Sequence, residues 1–132
     1  MKKALVTGAA GFIGSHVVRE LLAENIEVRC LIRPGENKRN LDGLDVEMIT
    51  GDILDTSAVE RALDGVDTVF HLAAIFSIWM KDWSRIYEVN LQGSRNVLWA
   101  CLKKREEYYN EKGISHRRSR VYRFARSQGA FN

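Results

Sequence analysis

Apolar residues in this chain fall in short continuous runs that alternate with longer stretches of helical periodicity. Ala4-Leu5-Val6-Thr7 reads as a buried strand, since an unbroken apolar run of this length suits a sheet covered on both faces. Residues 11–24 then show an amphipathic helical pattern, with Asn25 where a left-handed cap belongs. A second strand is predicted over 27–32 (EVRCLI), and Pro34-Gly35 breaks the chain after it. A third covers 46–50 and is closed by Gly51-Asp52. Residues 56–63 form a short helix with Asp55 or Thr56 as its cap and Gly65 as its end, and 68–72 (TVFHL) a fourth strand. Asp82 or Ser84 caps a longer helix from about residue 83 past 102, whose apolar positions Ile86, Val89, Val97, Leu98 and Cys101 recur at helical spacing.

Strands alternating with helices predict a parallel sheet with right-handed crossovers. The fold class is therefore α/β: a Rossmann-type doubly wound parallel sheet in the order 3-2-1-4. It is incomplete, with a weak or absent fifth strand, for which residues 121–124 are a poor substitute. In such a sheet the ligand crevice lies at the carboxyl ends of strands one and four.

That crevice is where the chemistry gathers. Gly8-Ala-Ala-Gly-Phe-Ile-Gly14 joins the first strand to the first helix. Glycine tolerates positive φ and has no side chain to bar a ligand. The first free amides of the helix, around Phe12 and Ile13, point into the turn, where the helix dipole favours an anion. A dinucleotide pyrophosphate is the expected ligand. The spacing is G-x-x-G-x-x-G rather than G-x-G-x-x-G, and Gly14 also serves by letting the helix approach the sheet. At the end of strand two, where an acidic residue would accept from a ribose 2′-OH, the chain has Arg33, with Lys38 and Arg39 behind. A guanidinium there favours a 2′-phosphate, hence NADP over NAD, although an arginine after a strand is also a common solvated charge. Asp52 either accepts from an adenine amino group or forms an ordinary Asx turn before Ile53.

His71-Leu72-Ala73-Ala74 ends strand four with small side chains that let backbone approach a cofactor. His71 itself reads as a satisfied core residue rather than an acid or base. Asn90 faces the sheet, either buttressing the site or satisfying buried backbone. The apolar run Ile75-Phe-Ser-Ile-Trp-Met80 suits either an organic substrate at the crevice mouth or a plain hydrophobic lid.

Length, composition and charge bound the rest. At 132 residues, 45% apolar and 28% charged, the chain has the make-up of a one-domain globular protein. No apolar run approaches a membrane span, and Met1-Lys2-Lys3 enters a strand with no signal-peptide core. Cys30 and Cys101 lie in apolar segments without metal spacing, as reduced cytoplasmic thiols do. Residues 103–132 carry nine Lys/Arg against three Asp/Glu, and only Ile114 and Val121 among Ile, Leu and Val. This shift divides a binding portion over 1–102 from a basic tail over 103–132, expected to continue the helix and then become irregular. The tail attracts phosphate nonspecifically but has no nucleic-acid-binding motif.

VTGAAGFIGSHVV (6–18), GDILD (51–55), VFHLAA (69–74) and VNLQGSRNVL (89–98) together resemble the extended short-chain dehydrogenase/reductase family, also called the NAD-dependent epimerase/dehydratase family. The resemblance covers roughly 1–102. Residues 31–53 look closest to dihydroflavonol-reductase-like and hopanoid-associated sugar-epimerase-like members. The resemblance implies NAD(P) contacts from Gly8, Gly11, Phe12, Ile13, Gly14, Arg33, Asp52, Ile53, Leu72, Ala73, Ala74 and Asn90. It also implies an enzyme that reduces, epimerises or dehydrates a sugar nucleotide or related carbonyl/hydroxyl compound. Members continue with a fifth strand, a catalytic Ser or Thr, a Tyr-x-x-x-Lys helix and a substrate domain. Tyr108 and Lys112 match that spacing but follow Asn90 too soon, with no intervening strand, and read as coincidence; Tyr122 and Arg126 are a weaker match. Residues after about Lys104 are expected not to be family sequence, through truncation or a frameshift. The chain alone is expected to be inactive, to bind cofactor weakly or not at all, and to self-associate through the exposed edge of strand four. The rival reading is a non-catalytic NADP sensor that presents a surface to a protein partner.

Overall fold

The computed structural model describes residues 1–75, 79 and 81–114. Its strands are β1 (Lys3–Thr7), β2 (Glu27–Ile32), β3 (Glu47–Thr50) and β4 (Thr68–His71). All pair in parallel in the order β3-β2-β1-β4, as the alternating pattern predicts. Helix α1 (Phe12–Ala23) follows β1, and α2 (Thr56–Ala62) follows β3. The proposed substitute strand at 121–124, Tyr122, Arg126, and residues 76–78 and 80 of the apolar loop lie outside the described residues.

Alternation along each strand divides the core between two faces. Ala4, Val6, Val28, Cys30 and Ile32 pack with Val18 and Leu21 of α1. Leu5 and Leu31 pack on the other face with Val59 and Ala62 of α2 and with Val89 and Val97. Arg29 shares that second face. It is buried, and its guanidinium donates to Glu47 Oε2 at 3.0 Å and to the carbonyls of Ala62 and Asp64 at 2.8 and 2.6 Å. A buried cation is tolerable only with such partners. The start of β1 is pinned by Asp67, whose carboxylate accepts the amides of Lys2 and Lys3 at 2.8 and 3.1 Å. These amides, with the Thr68 hydroxyl, hold its pKa down at about 2.

Several boundaries differ from the pattern-based expectation. β3 begins at Glu47 rather than 46. β4 ends at His71, although the Leu72 amide still donates to the Thr7 carbonyl at 3.2 Å as the last bond of the β1–β4 ladder. The connection from β2 to β3 holds only a 3₁₀ turn, Arg39–Leu41, whose Leu41 is buried against the α1 face. The long helix expected from residue 83 is three pieces: α3 (Trp83–Tyr87), a π-helical stretch (Glu88–Gly93) and α4 (Ser94–Glu111). The wider turn brings Val89, Gly93 and Val97 to one buried face and leaves Leu98 63% exposed, so Leu98 is not a core position. The cap positions agree: Asp55 and Asp82 accept first-turn amides, and Asn25 has a φ of 59°. Helix α4 crosses Lys103 without a break, and Lys103 and Lys104 pair with Glu60 and Asp64 beneath it.

Candidate functional site

The turn between β1 and α1 is built by omission. Gly8 has a φ of +68°, and a Cβ there would stand 2.7 Å from the backbone of Leu72 and Ala73. A Cβ on Gly14 would overlap the Gly8 carbonyl oxygen. Only glycine lets α1 and the loop after β4 close on this turn together. The Gly11 amide donates to Gly8 O at 3.2 Å, and Gly11 caps α1 with no side-chain hydrogen bond. The first-turn amides at Phe12 and Ile13 therefore meet no capping side chain. Their own side chains are exposed and line a shallow apolar groove with His16 and Phe70. From outside, Asn40 Nδ2 donates to Ala10 O at 2.9 Å, and Arg19 donates to the Asn40 carbonyl at 2.9 Å.

The facing wall is built by polar side chains. Asn90 Oδ1 accepts the Ile75 amide at 2.7 Å, and its Nδ2 donates to the Ile75 carbonyl at 2.8 Å. Asn90 thus buttresses the loop that carries Leu72, Ala73 and Ala74. Asn96 Nδ2 donates to Ile53 O at 3.0 Å, and the Ile53 side chain sits where a Cβ of Gly93 would be. Asp52 makes the Asx turn, accepting the Leu54 amide at 2.9 Å. Between the walls lies one crevice lined by Gly8, Gly11, Arg33, Asp52, Ile53, Leu72, Ala73 and Ala74. Gly14 is buried beneath it, and Asn90 stands behind it.

Glu36 and Arg85 also line this crevice, and neither is evident in the sequence. The Glu36 carboxylate accepts the Arg33 amide at 3.0 Å across the Pro34-Gly35 corner. A carboxylate therefore does stand beside Arg33, contrary to the expectation of a guanidinium alone. Asn40, Ser94 and Asn96 were missed too. Asn40 lies in the 3₁₀ turn and Ser94 and Asn96 at the start of the largely polar α4, so no apolar pattern around them marked these side chains. Both ring nitrogens of His71 are occupied, by Thr7 and Ser94, and burial holds its pKa below the ordinary value. Tyr108 and Lys112 stand at the far end of α4, where Tyr108 lines a separate groove with Leu63, Asp67 and Cys101. Burial pushes the Cys30 thiol up to about 12 and raises that of Cys101, and both cysteines are free. Among the described residues there is no cluster able to hold a metal ion, and no helix is long and apolar enough to cross a membrane.

The residues present fit a dinucleotide. Small or absent side chains meet open amides, and the place of a Gly8 Cβ is already filled by backbone. Fold and crevice together define a Rossmann-type nucleotide-binding protein of the parallel α/β class. More narrowly, the chain belongs to the NAD dependent epimerase/dehydratase family, whose model matches residues 4–114. That match runs beyond 102, where the resemblance in sequence motifs stops. Sterol demethylase protein B of Methylococcus capsulatus is 42% identical over 94 residues, covering 71% of this chain and 29% of its own length. A Thermus thermophilus UDP-glucose 4-epimerase, solved in complex with NAD, aligns with a TM-score of 0.67 at 41% identity, over 75% of this chain and 33% of that one. A Thermotoga maritima UDP-glucose 4-epimerase, solved with UDP-glucose, gives 0.69 at 32% identity, over 76% and 34%. The chain spans about three tenths of the length of the curated relatives it matches.

Proposed function

We propose that this chain is the cofactor-binding portion of an NAD(P)-dependent oxidoreductase or epimerase acting on a sugar nucleotide or a related carbonyl/hydroxyl compound. The observation that carries this reading is the Gly8 turn, closed over by Leu72 and Ala73 and facing uncapped amides at the start of α1. Those amides would take the pyrophosphate. When bound, the nicotinamide supplies hydride chemistry. Ala73 and Ala74 let backbone approach it, and Asn90 acts as a positioning residue through Ile75. Asp52 has one carboxylate oxygen committed to Leu54 and would offer the other to the adenine amino group.

The Arg33 guanidinium supports NADP through a 2′-phosphate, while Glu36 beside it offers the acceptor that a ribose diol needs. Proton transfer at the substrate is left to groups outside this crevice, because Tyr108 and Lys112 lie away from it. Titration calorimetry with NADP and with NAD tests the reading. Weak, saturable binding to one site supports it, and no heat with either at millimolar cofactor counts against it. Strand β4 has only β1 as a neighbour among the described residues, so self-association through its free edge is expected. Sedimentation that stays monomeric over a wide concentration range would refute that part alone.

A further inference from the structure

Thr7 is fully buried at the end of β1, on the α4 side of the sheet. Its hydroxyl oxygen accepts the amides of Leu72 at 3.1 Å and Ala73 at 3.2 Å. The same oxygen lies 2.7 Å from His71 Nδ1. A hydroxyl has one proton and two acceptor sites. The Leu72 amide is shared with the Thr7 carbonyl at 3.2 Å. Because both amides can only donate, His71 Nδ1 is the one partner able to accept the Thr7 hydroxyl proton. Nδ1 is then the acceptor, so the proton of the neutral ring sits on Nε2. Nε2 is 2.8 Å from Ser94 Oγ, to which it donates. The direction of every bond in this chain is thereby fixed, from the crevice floor to the first residue of α4.

We infer that Thr7, His71 and Ser94 form a positioning relay, with His71 held as the neutral Nε2–H tautomer. The relay sets the backbone of Leu72 and Ala73 against the Gly8 turn. His71 acts through Thr7, and it touches neither cofactor nor substrate. Its burial beside two neutral hydroxyls suits this role, since an imidazolium would turn a second N–H toward Thr7 Oγ1 and take away the acceptor of the Thr7 hydroxyl proton. The Ala73 amide and the Leu72 carbonyl stand within 2.8 Å of where a Gly8 Cβ would be, so the relay and the glycine turn determine one surface together. The value of that surface to a dinucleotide rests on the function proposed above, while the relay is a property of the chain whether or not a nucleotide binds.

Nitrogen-15 NMR of the full chain at neutral pH tests the inference without cofactor. A protonated Nε2 and a bare Nδ1 on His71, with slow exchange of the Leu72 and Ala73 amides, are the expected results. A dominant Nδ1–H tautomer overturns it. Thr7→Val removes the hydroxyl and keeps the shape, and is expected to speed exchange at both amides about tenfold. It should also release the His71 tautomer preference. Thr7→Ser should restore both signatures, which a purely volumetric role for Thr7 would not require. Unchanged exchange and tautomer in a folded Thr7→Val overturn the inference. Should that variant fail to fold, the native tautomer and the Thr7→Ser spectrum still decide it. Adding NADP or NAD to the native chain separates the two readings: a correct tautomer with no nucleotide binding supports the relay and refutes only the proposed function.

Discussion

The two walls of the crevice are held by opposite means. On the β1–α1 side the chain withholds side chains. At Gly8 and Gly14 the place of a methyl is already taken by neighbouring backbone, and that contact shapes the turn. On the β3–β4 side, Asn90, Ser94 and Asn96 reach from one helical stretch to Ile75, His71 and Ile53. The first wall is a steric fit, brittle and indifferent to pH. The second is a set of hydrogen bonds, each of modest net worth but costly to leave half made.

Substitutions should expose this contrast, and the largest effect belongs to the glycine wall. Gly14→Ala puts Cβ onto the Gly8 carbonyl, and Gly8→Ala adds a strained φ to a backbone collision. Each should cost roughly 3 kcal/mol or prevent folding, read from the midpoint of urea unfolding. Asn90→Ala removes both bonds to Ile75 and should cost about 1–2 kcal/mol. Its signature is faster exchange of the Ile75 amide, with the amides of the glycine turn unmoved. A loss at Asn90 as large as at Gly14 would erase the distinction between the walls.

Acid should act on the hydrogen-bonded wall and on the base of β1, in separate windows. Burial lowers the His71 pKa below its ordinary 6.5, so the unfolded chain binds the extra proton first. Stability is then expected to fall as pH drops from about 6.5 through the folded-state value. Asp67 is held at about 2 against an ordinary 3.8, and its contribution is full above that ordinary value. It is lost as pH falls toward 2. Unfolding curves collected against pH should show both steps, and His71→Asn should remove only the upper one. The smallest effect is at the mouth. Glu36→Gln leaves Arg33 without a neighbouring carboxylate and should shift the preference toward NADP by up to about fivefold. Competition between NADP and NAD would show it.

The sheet and the glycine wall were legible in the sequence because both depend on local pattern. Apolar runs announce parallel strands, and glycine spacing beside them announces a turn. The other wall depends on side chains that meet across large sequence separations, such as Asn96 with Ile53 and Asn40 with Ala10. No periodicity carries those pairs. The π-helical stretch was equally hidden, since one wider turn shifts the buried face without changing composition, and it put Leu98 outside the core. Glu36 was overlooked because the Pro34-Gly35 corner, rather than strand register, brings its carboxylate back to Arg33.

Amide chemical-shift mapping during titration with NADP and with NAD tests the central claim most directly. Saturable shifts at Gly8, Gly11, Phe12 and Ile13, joined by Leu72 and Ala73, are the predicted result. Shifts confined to other surfaces, or none at millimolar cofactor while the sheet remains folded, would contradict it.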